Sequence, residues 1–325
     1  MLRSIQVTPL AAESLGVRSM CTFVETPDVR VLLDAGVSLG PFRLGFPPHP
    51  QEYKALKAAR KRISDAAEKA EVVTISHYHF DHHTPSYTDW FLHWSSGETA
   101  RQIYEGKIVL AKSYRDKINF SQRHRGWVFA NTGGRYAEKV EYVDGKEFLL
   151  GDTKIRFSRP VVHGEPGTEL GWLLMTTIER NDERVLFTSD VQGPMHTATL
   201  KAILIEKPSV IIIGGPPAYL IGLVDQESIQ IGLRNLAAIV QKISTTVLEH
   251  HLLRQEDWRE TAKPVFESAA AAGHSVSTAA EFLKEENALL ESKRKQLYET
   301  DPPDTDFEKW MRKPEMERKE TPPPI

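Results

Sequence analysis

Short apolar runs separated by turn residues open the chain. The stretches "SIQVTPL", "SMCTFVETP" and "VRVLLDAG" each have the apolar and β-branched content of a strand, and "EVVTI" predicts another strand further on. Between them, "PQEYKALKAARKRISDAAEKA" places apolar residues at helical spacing, and Pro50 suits the first position of a helix. The pattern therefore predicts a strand-rich first part that contains one long helix.

The pattern changes in the second part, where strands alternate with helices. The "DG" and "GD" turns of "KVEYVDGKEFLLGDTKIRF" indicate hairpins. After residue 190, helical runs such as "QESIQIGLRNLAAIVQKI" alternate with the apolar strands "SVIIIGG" and "TTVLEHH". Such a sequence of elements favours a mixed α/β fold in which two sheets pack together and helices cover them.

The chain divides into two segments by composition. Residues 1–283 are predicted to form one domain. Residues 284–325 begin with the charged, helix-forming run "KEENALLESKRKQLYE" and end in the proline-rich "TPPPI". Because such a segment offers little apolar surface to bury, we expect a charged helix followed by a mobile tail.

Composition narrows the function classes. The 325 residues are 40% hydrophobic and 26% charged, which is ordinary for a globular protein. The net charge of −3 argues against wholesale binding to nucleic acid or to an anionic membrane, and a single cysteine, Cys21, excludes an internal disulfide and a cysteine-rich zinc site. No apolar run approaches a membrane span and no secretory signal is evident, so we expect a cytoplasmic protein, with homo-oligomerisation left open.

Histidines crowd the segment that follows the strand "EVVTI", where residues 76–83 read "SHYHFDHH". Alternate side chains of an extended segment point the same way, so His77, His79 and Asp81 can converge on one side, and the two imidazoles can hold a single ion. The adjacent Asp81 and His82 can serve a second ion close by. Imidazole and carboxylate are ligands that Zn²⁺ accepts, and a catalytic site keeps one position open for water. The cluster therefore predicts a metal site.

One loop cannot saturate two metal ions, so further ligands are expected downstream. Candidates that follow apolar runs are His163 in "RPVVHGEPG", Asp190 in "RVLFTSD", and His250 or His251 in "TTVLEHH". An aspartate between two ions can bridge them, which is the role expected of Asp190. The sequence leaves open which of the two adjacent histidines is the ligand.

These residues carry a resemblance to a known group of proteins. "SHYHFDHH" matches the H-x-H-x-D-H motif of the metallo-β-lactamase superfamily, "VLLDAG" with Asp34 resembles its first motif, and the downstream candidates resemble its remaining ones. The whole chain resembles an archaeal family of predicted metallo-hydrolases within that superfamily. The resemblance implies an αββα sandwich with two metal ions at one edge of two mixed sheets.

The resemblance also implies roles for individual residues. His77, His79 and His163 would hold one ion, and Asp190 would bridge. The second ion would be held by Asp81, His82 and His250 or His251. Asp34 would orient a ligand, and Asp81 would also count among the catalytic residues. The ions would be Zn²⁺, or alternatively Mn²⁺ or Fe, in a hydrolase that uses a metal-bridging hydroxide.

Residues beyond the metal ligands are candidates for substrate contacts. His196 follows the bridging aspartate closely and would protonate a leaving group, whereas His83 is a further polar candidate near the site. Arg123 and Arg125 of "NFSQRHRGW" would bind phosphate, because guanidinium groups match phosphate oxygens. Arg254 is added because "HHLLR" resembles the final histidine and following arginine of tRNA-processing nucleases.

Three functions remain open from the sequence. The favoured function is hydrolysis of a phosphoester or phosphodiester, with a small molecule or a short phosphodiester as substrate. The arginines support it, and so does the spacing of "HGEPGTELGW", which resembles that of the nuclease and sugar-lactonase branches of the superfamily. The alternative is hydrolysis of a lactone or another carboxylic ester by the same site. A non-catalytic metal-binding protein is the third possibility, although structural zinc sites are usually single and closed.

Overall fold

The computed structural model describes residues 2–220 and 222–325. Its first large sheet contains, in spatial order, β1 (Gln6–Pro9), β2 (Thr22–Glu25), β3 (Arg30–Leu33), β4 (Val72–Ile75), β5 (Ile108–Ala111) and β6 (Lys139–Tyr142). The pairs from β1 to β3 are antiparallel, and those from β3 to β6 are parallel. The strands predicted from the first apolar runs are therefore confirmed.

The remaining strands follow in chain order as β7 (Glu147–Leu150), β8 (Thr153–Phe157), β9 (Val161–Val162), β10 (Trp172–Leu173), β11 (Thr176–Arg180), β12 (Glu183–Phe187), β13 (Val210–Gly214), β14 (Thr245–Glu249) and β15 (Ser275–Ser277). β9 and β10 form a separate antiparallel pair, and the others form a second large sheet in the order β15-β14-β13-β12-β11-β8-β7. This sheet is also mixed, because β12 to β15 are parallel and the other pairs are antiparallel.

Helices connect and cover the sheets. They are α1 (Pro50–Lys69), α2 (Gly97–Tyr104), α3 (Phe120–Asn131), α4 (Thr197–Glu206), α5 (Gln226–Val240), α6 (Trp258–Thr261), α7 (Lys263–Ala271), α8 (Ala279–Phe282), α9 (Arg294–Thr300), α10 (Thr305–Met311) and α11 (Glu315–Glu320). α1 begins at Pro50, as predicted, and His49 caps it in a capping box.

Three groups of buried side chains separate the layers. Val31 of β3 and Phe187 of β12 belong to the group between the two sheets. Leu56 of α1 belongs to the group on the outer face of the first sheet, and Leu236 of α5 to the group on the outer face of the second. Each sheet thus has one face on the other sheet and one face under helices. The predicted αββα sandwich of two mixed sheets is confirmed.

The structure differs from the expectation of a mobile tail for residues 284–325. Arg294 is fully buried, and its guanidinium forms two hydrogen bonds of 2.7 Å with the carboxylate of Glu52 on α1. Phe307 and Trp310, on α10, are buried against Tyr53. The expectation rested on the proline and charge content of this segment. It overlooked two aromatic residues three positions apart, which lie on the same face of a short helix and can be buried together.

Replacement of Trp310 by alanine is expected to lower the free energy of unfolding by about 3–5 kcal/mol, the usual cost of removing a buried aromatic side chain. Trp310 is 3% exposed, meets Tyr53 edge-on at 5.4 Å between ring centroids, and donates a hydrogen bond of 2.9 Å from Nε1 to the Thr321 carbonyl. Urea unfolding of the full chain measures the change. Met316→Ala is the control, because Met316 is 66% exposed in the same segment. Equal stability of both variants would contradict the docking of this segment.

No helix among the residues that the structure describes has both the length and the apolar character needed to cross a membrane.

Candidate metal centre

The first group of possible ligands lies in the loop after β4. His77 is fully buried, and its Nε2 lies 3.2 Å from Nδ1 of His79. The ring of His163, which follows β9, lies 5.1 Å from the His77 ring and 5.0 Å from the His79 ring between centroids. Ligand atoms of all three histidines lie within 4.8 Å of one another. The structure therefore brings together the triad predicted for one ion.

The second group lies beside the first. It contains Asp81, His82 and His250, whose ligand atoms also lie within 4.8 Å of one another. His82 is fully buried and meets the His250 ring edge-on, with 5.2 Å between centroids. Nε2 of His250 lies 3.7 Å from Oδ2 of Asp81. These three residues form the triad predicted for a second ion.

Asp190 lies between the two triads. It follows β12, and its Oδ2 lies 2.9 Å from Nε2 of His163 and 3.2 Å from Nε2 of His250. Burial tends to raise the pKa of Asp190, but His250, His251 and His163 lower it, and the net pKa is well below the usual value. The carboxylate is therefore anionic and occupies the position expected of a bridging ligand.

The side chains of this centre fit divalent metal ions. Nε2 of His82 and Oδ1 of Asp190 are buried and form no hydrogen bond with any residue that the structure describes. An unpaired buried polar atom is costly unless another group satisfies it. Burial and the neighbouring imidazoles lower the pKa of His77 well below its usual value, and burial followed by His163 does the same for His79. Neutral imidazoles with free nitrogens, together with carboxylates, suit Zn²⁺ and similar ions.

Asp34 contacts His82 on the side of the ring that faces away from the centre. It follows β3, and its Oδ2 lies 2.9 Å from Nδ1 of His82, on the side of the ring opposite the free Nε2. Ser189 donates a hydrogen bond of 2.9 Å to the same oxygen, and Ser76 also donates to it. The Ser76 hydroxyl lies 2.9 Å from Nδ1 of His77. Asp34 is thus positioned to fix the tautomer of the His82 ring, as a carboxylate does beside a metal-binding histidine.

Glu13 is a participant that the sequence did not indicate. It lies in a short 3-10 helix between β1 and β2, is 5% exposed, and its Oε2 is 3.1 Å from Nδ1 of His250. Burial lowers the pKa of His250, whereas Asp190 and Glu13 raise it, and the net pKa is well above the usual value. A metal ion that binds at Nε2 of His250 therefore replaces a proton there.

Arg254 differs from its predicted role in substrate binding. The side chain is 2% exposed, and its Nε and Nη2 donate hydrogen bonds of 2.9 and 2.6 Å to Oε1 of Glu13. A guanidinium committed to a buried carboxylate has little left for a phosphate. The sequence could not distinguish the two uses, since an arginine near a histidine suits both.

The two adjacent histidines both face Asp190. β14 ends at Glu249, and residues 250–254 form a 3-10 helix in which His250 has a positive φ of 68°. Nε2 of His251 lies 3.0 Å from Oδ2 of Asp190, while its Nδ1 lies 3.2 Å from the Tyr219 hydroxyl. The turn therefore removes the strand geometry that would send neighbouring side chains to opposite sides.

The remaining candidates lie outside the two triads. His83 is buried, and its Nδ1 is 3.0 Å from the carbonyl of His79. His196 is half-buried at the start of α4 and belongs to none of the His and Asp groups found among residues 2–220 and 222–325. Arg123 is exposed on α3, whereas Arg125 is half-buried and its Cζ lies 4.4 Å from the centre of the Phe80 ring.

Comparisons with known proteins agree with this geometry at the level of the fold. No protein-family model matches the chain. A metallo-β-lactamase fold protein of Bacillus subtilis, YhfI, is 14% identical and covers 88% of this chain and 98% of its own, with a TM-score of 0.52. That identity supports the fold alone, and the fold is the one that the motifs predict.

Archaeal relatives are much more similar in sequence. A UPF0282 protein of Methanopyrus kandleri is 41% identical over 294 residues, which are 90% of this chain and 99% of the relative. A UPF0282 protein of Korarchaeum cryptofilum is 39% identical over 308 residues, which are 94% of this chain and 99% of the relative. The resemblance to an archaeal family is thereby confirmed. The chain belongs to the UPF0282 family of archaeal proteins and has the metallo-β-lactamase fold.

Proposed function

We propose that this protein is a dinuclear metal-dependent hydrolase that acts on a phosphoester or phosphodiester. The observation that carries the proposal is the position of Asp190, whose Oδ2 lies within 3.2 Å of ligand nitrogens from both triads. A single structural metal ion would need neither a second triad nor a carboxylate between the two.

The metals are expected to be Zn²⁺, with Mn²⁺ or Fe as alternatives, and the chain would bind one in each triad. Ions held there would act as Lewis acids, lowering the pKa of water and stabilising negative charge on the phosphoryl oxygens. The chain itself contributes orientation. Asp34 holds the proton at Nδ1 of His82, and Glu13 does the same for His250, so that each Nε2 points into the centre.

Arg125 supports a phosphorus substrate over a lactone. Its guanidinium lies against the ligand loop, with Cζ 4.4 Å from the centre of the Phe80 ring and Nη1 3.5 Å from the Tyr78 carbonyl. Within the described part of the chain, Arg125 forms no ion pair with a carboxylate. A guanidinium with unused donors beside a metal centre suits phosphate oxygens, whereas a neutral lactone gains little from it.

Metal-dependent turnover tests the proposal. The full chain, stripped by a chelator and then reloaded with Zn²⁺ or Mn²⁺, is assayed with bis(4-nitrophenyl) phosphate and with a panel of lactones. We expect hydrolysis of the phosphodiester that is lost on stripping and restored on reloading. Hydrolysis of lactones alone would replace the proposal with the carboxylic-ester alternative. Two bound metals per chain without turnover of either class would favour a non-catalytic role.

A further inference from the structure

A cavity of about 250 Å³ opens next to the segment that carries the possible ligands His79 and Asp81. Its lining comes from the metal loop, through Phe80 and His83, and from α3, through Arg125, Val128 and Phe129. Phe80 lies between His79 and Asp81 in the chain, so the cavity shares a wall with the segment that supplies ligands to both triads.

The walls of the cavity are aromatic and apolar. The Phe80 ring meets the Tyr87 ring edge-on at 5.7 Å between centroids, and Phe129 lies edge-on to His83 at 6.2 Å. Val128 contributes an aliphatic surface from α3. Tyr87 is 41% exposed, so the cavity opens to solvent and is not an internal packing defect. Edge-on aromatic walls are well suited to another planar ring.

One side of the cavity is cationic. The Cζ of Arg125 lies 4.4 Å from the centre of the Phe80 ring, and its Nη1 makes a long contact of 3.5 Å with the Tyr78 carbonyl. These contacts hold the guanidinium at the boundary between the cavity and the ligand loop. His124 also lines the cavity from an exposed position on α3. The cavity therefore combines an apolar interior with a positive charge beside the loop that carries the possible ligands.

We propose that this cavity binds a planar aromatic group of the substrate, such as a nucleobase or an aryl ring, while Arg125 contacts the attached phosphoryl group. The proposal rests on the proposed function, because it assigns the class of phosphoester that the metal centre takes. The volume is sufficient for one ring system but not for a larger ligand, since drug-sized sites occupy about 300–1,000 Å³. An aromatic ester of phosphate is therefore preferred over an alkyl ester.

Binding of two phosphonates tests the cavity without requiring turnover. Phenylphosphonate and methylphosphonate share the anionic group and have no ester bond to break, so calorimetry on the metal-loaded full chain reports only recognition. We expect phenylphosphonate to bind about ten- to a hundredfold more tightly than methylphosphonate, which is the gain from burying one ring.

A variant that fills the cavity supplies the decisive comparison. Val128→Trp is expected to reduce the preference to about one and to leave methylphosphonate binding within about twofold, because the added indole occupies the space of the ring. Ser121→Trp is the matched control, since Ser121 is exposed on the same helix and does not line the cavity. If circular dichroism shows that Val128→Trp does not fold, Thr132→Trp at the exposed rim replaces it.

Arg125→Gln separates the charge from the ring. It is expected to weaken the binding of both phosphonates about tenfold, which is the usual effect of losing a hydrogen bond to a charged group. The preference for phenylphosphonate should persist. An unchanged preference in Val128→Trp, or none in the unmodified chain, would overturn the cavity assignment. A preference for phenylphosphonate in a protein that hydrolyses no phosphoester would keep the cavity and reject the proposed function. Hydrolysis of phosphoesters with no preference for phenylphosphonate would keep the proposed function and reject the cavity assignment.

Discussion

Replacement of Asp190 by alanine is expected to lower hydrolysis by on the order of a thousandfold or more, because the substitution removes the anion that both metal positions share. The Oδ2 atom lies 2.9 Å from Nε2 of His163, 3.2 Å from Nε2 of His250 and 3.0 Å from Nε2 of His251. With alanine at position 190, no carboxylate would offset the positive charge of two metal ions bound at these imidazoles. Metal content should therefore fall together with activity, and metal analysis with initial rates measures both.

The structure offers a matched control for this substitution. Asp182 lies eight positions earlier, and its side chain is 81% exposed, so Asp182→Ala changes the net charge equally without reaching the centre. We expect it to keep full activity and full metal content. Asp190→Asn, which conserves shape and removes the charge, should resemble Asp190→Ala. Unchanged metal content and activity in Asp190→Ala would contradict the shared-ligand geometry.

The residues of the centre that could be predicted from sequence are those that directly follow a strand, because the end of the strand determines where they lie. "SHYHFDHH" follows an apolar strand directly, so the strand end alone places His77, His79, Asp81 and His82 at the edge of the sheet. His163 and Asp190 likewise follow β9 and β12. The carboxyl ends of these elements meet at one edge, so the clustering of these side chains could be anticipated without knowledge of the tertiary contacts. Their division into two triads was implied only by the resemblance.

The parts that could not be predicted depend on contacts between distant segments. Glu13 holds His250 across 237 positions of the chain, and nothing in "AAESLG" marks it as a partner of that histidine. The role of Arg254 also depends on Glu13, because a guanidinium is available to a substrate only if no buried carboxylate binds it. The docking of Trp310 similarly depends on Tyr53, which lies on α1. In each case the residue type indicated a possible role, but the sequence did not indicate which distant residue it contacts.

His250→Ala is expected to lose one metal ion per chain and nearly all activity, whereas His251→Ala is expected to keep both ions. The hydrogen-bond partners of the two rings give the reason. Nδ1 of His250 lies 3.1 Å from Oε2 of Glu13, so it carries a proton and leaves Nε2 for an ion. Nε2 of His250 also faces Asp81 at 3.7 Å, in the second triad.

The partners of His251 give the opposite tautomer. Its Nδ1 lies 3.1 Å from Nη1 of Arg254, and since a guanidinium can only donate, Nδ1 accepts. Burial, followed by the Arg254 charge, lowers the pKa of His251 to about 3, so the ring is neutral. With Nδ1 accepting, its one proton lies on Nε2, which is 3.0 Å from Oδ2 of Asp190 and 3.3 Å from the side-chain amide of Gln192. In this tautomer Nε2 donates to the carboxylate, and an ion would bind there only in place of that proton.

The expected loss in His251→Ala is therefore the loss of an orienting hydrogen bond to Asp190, about ten- to a hundredfold in activity. His250→Ala leaves Glu13 and Arg254 paired with each other at 2.6 Å, so the chain should still fold and the metal content can be compared directly. Metal analysis of the two purified variants decides the assignment. If only His251→Ala loses an ion, the ligand is the second histidine, and the tautomer deduced from Arg254 is wrong. The centre would then keep its two triads, since Asp190 lies 3.0 Å from His251 as well.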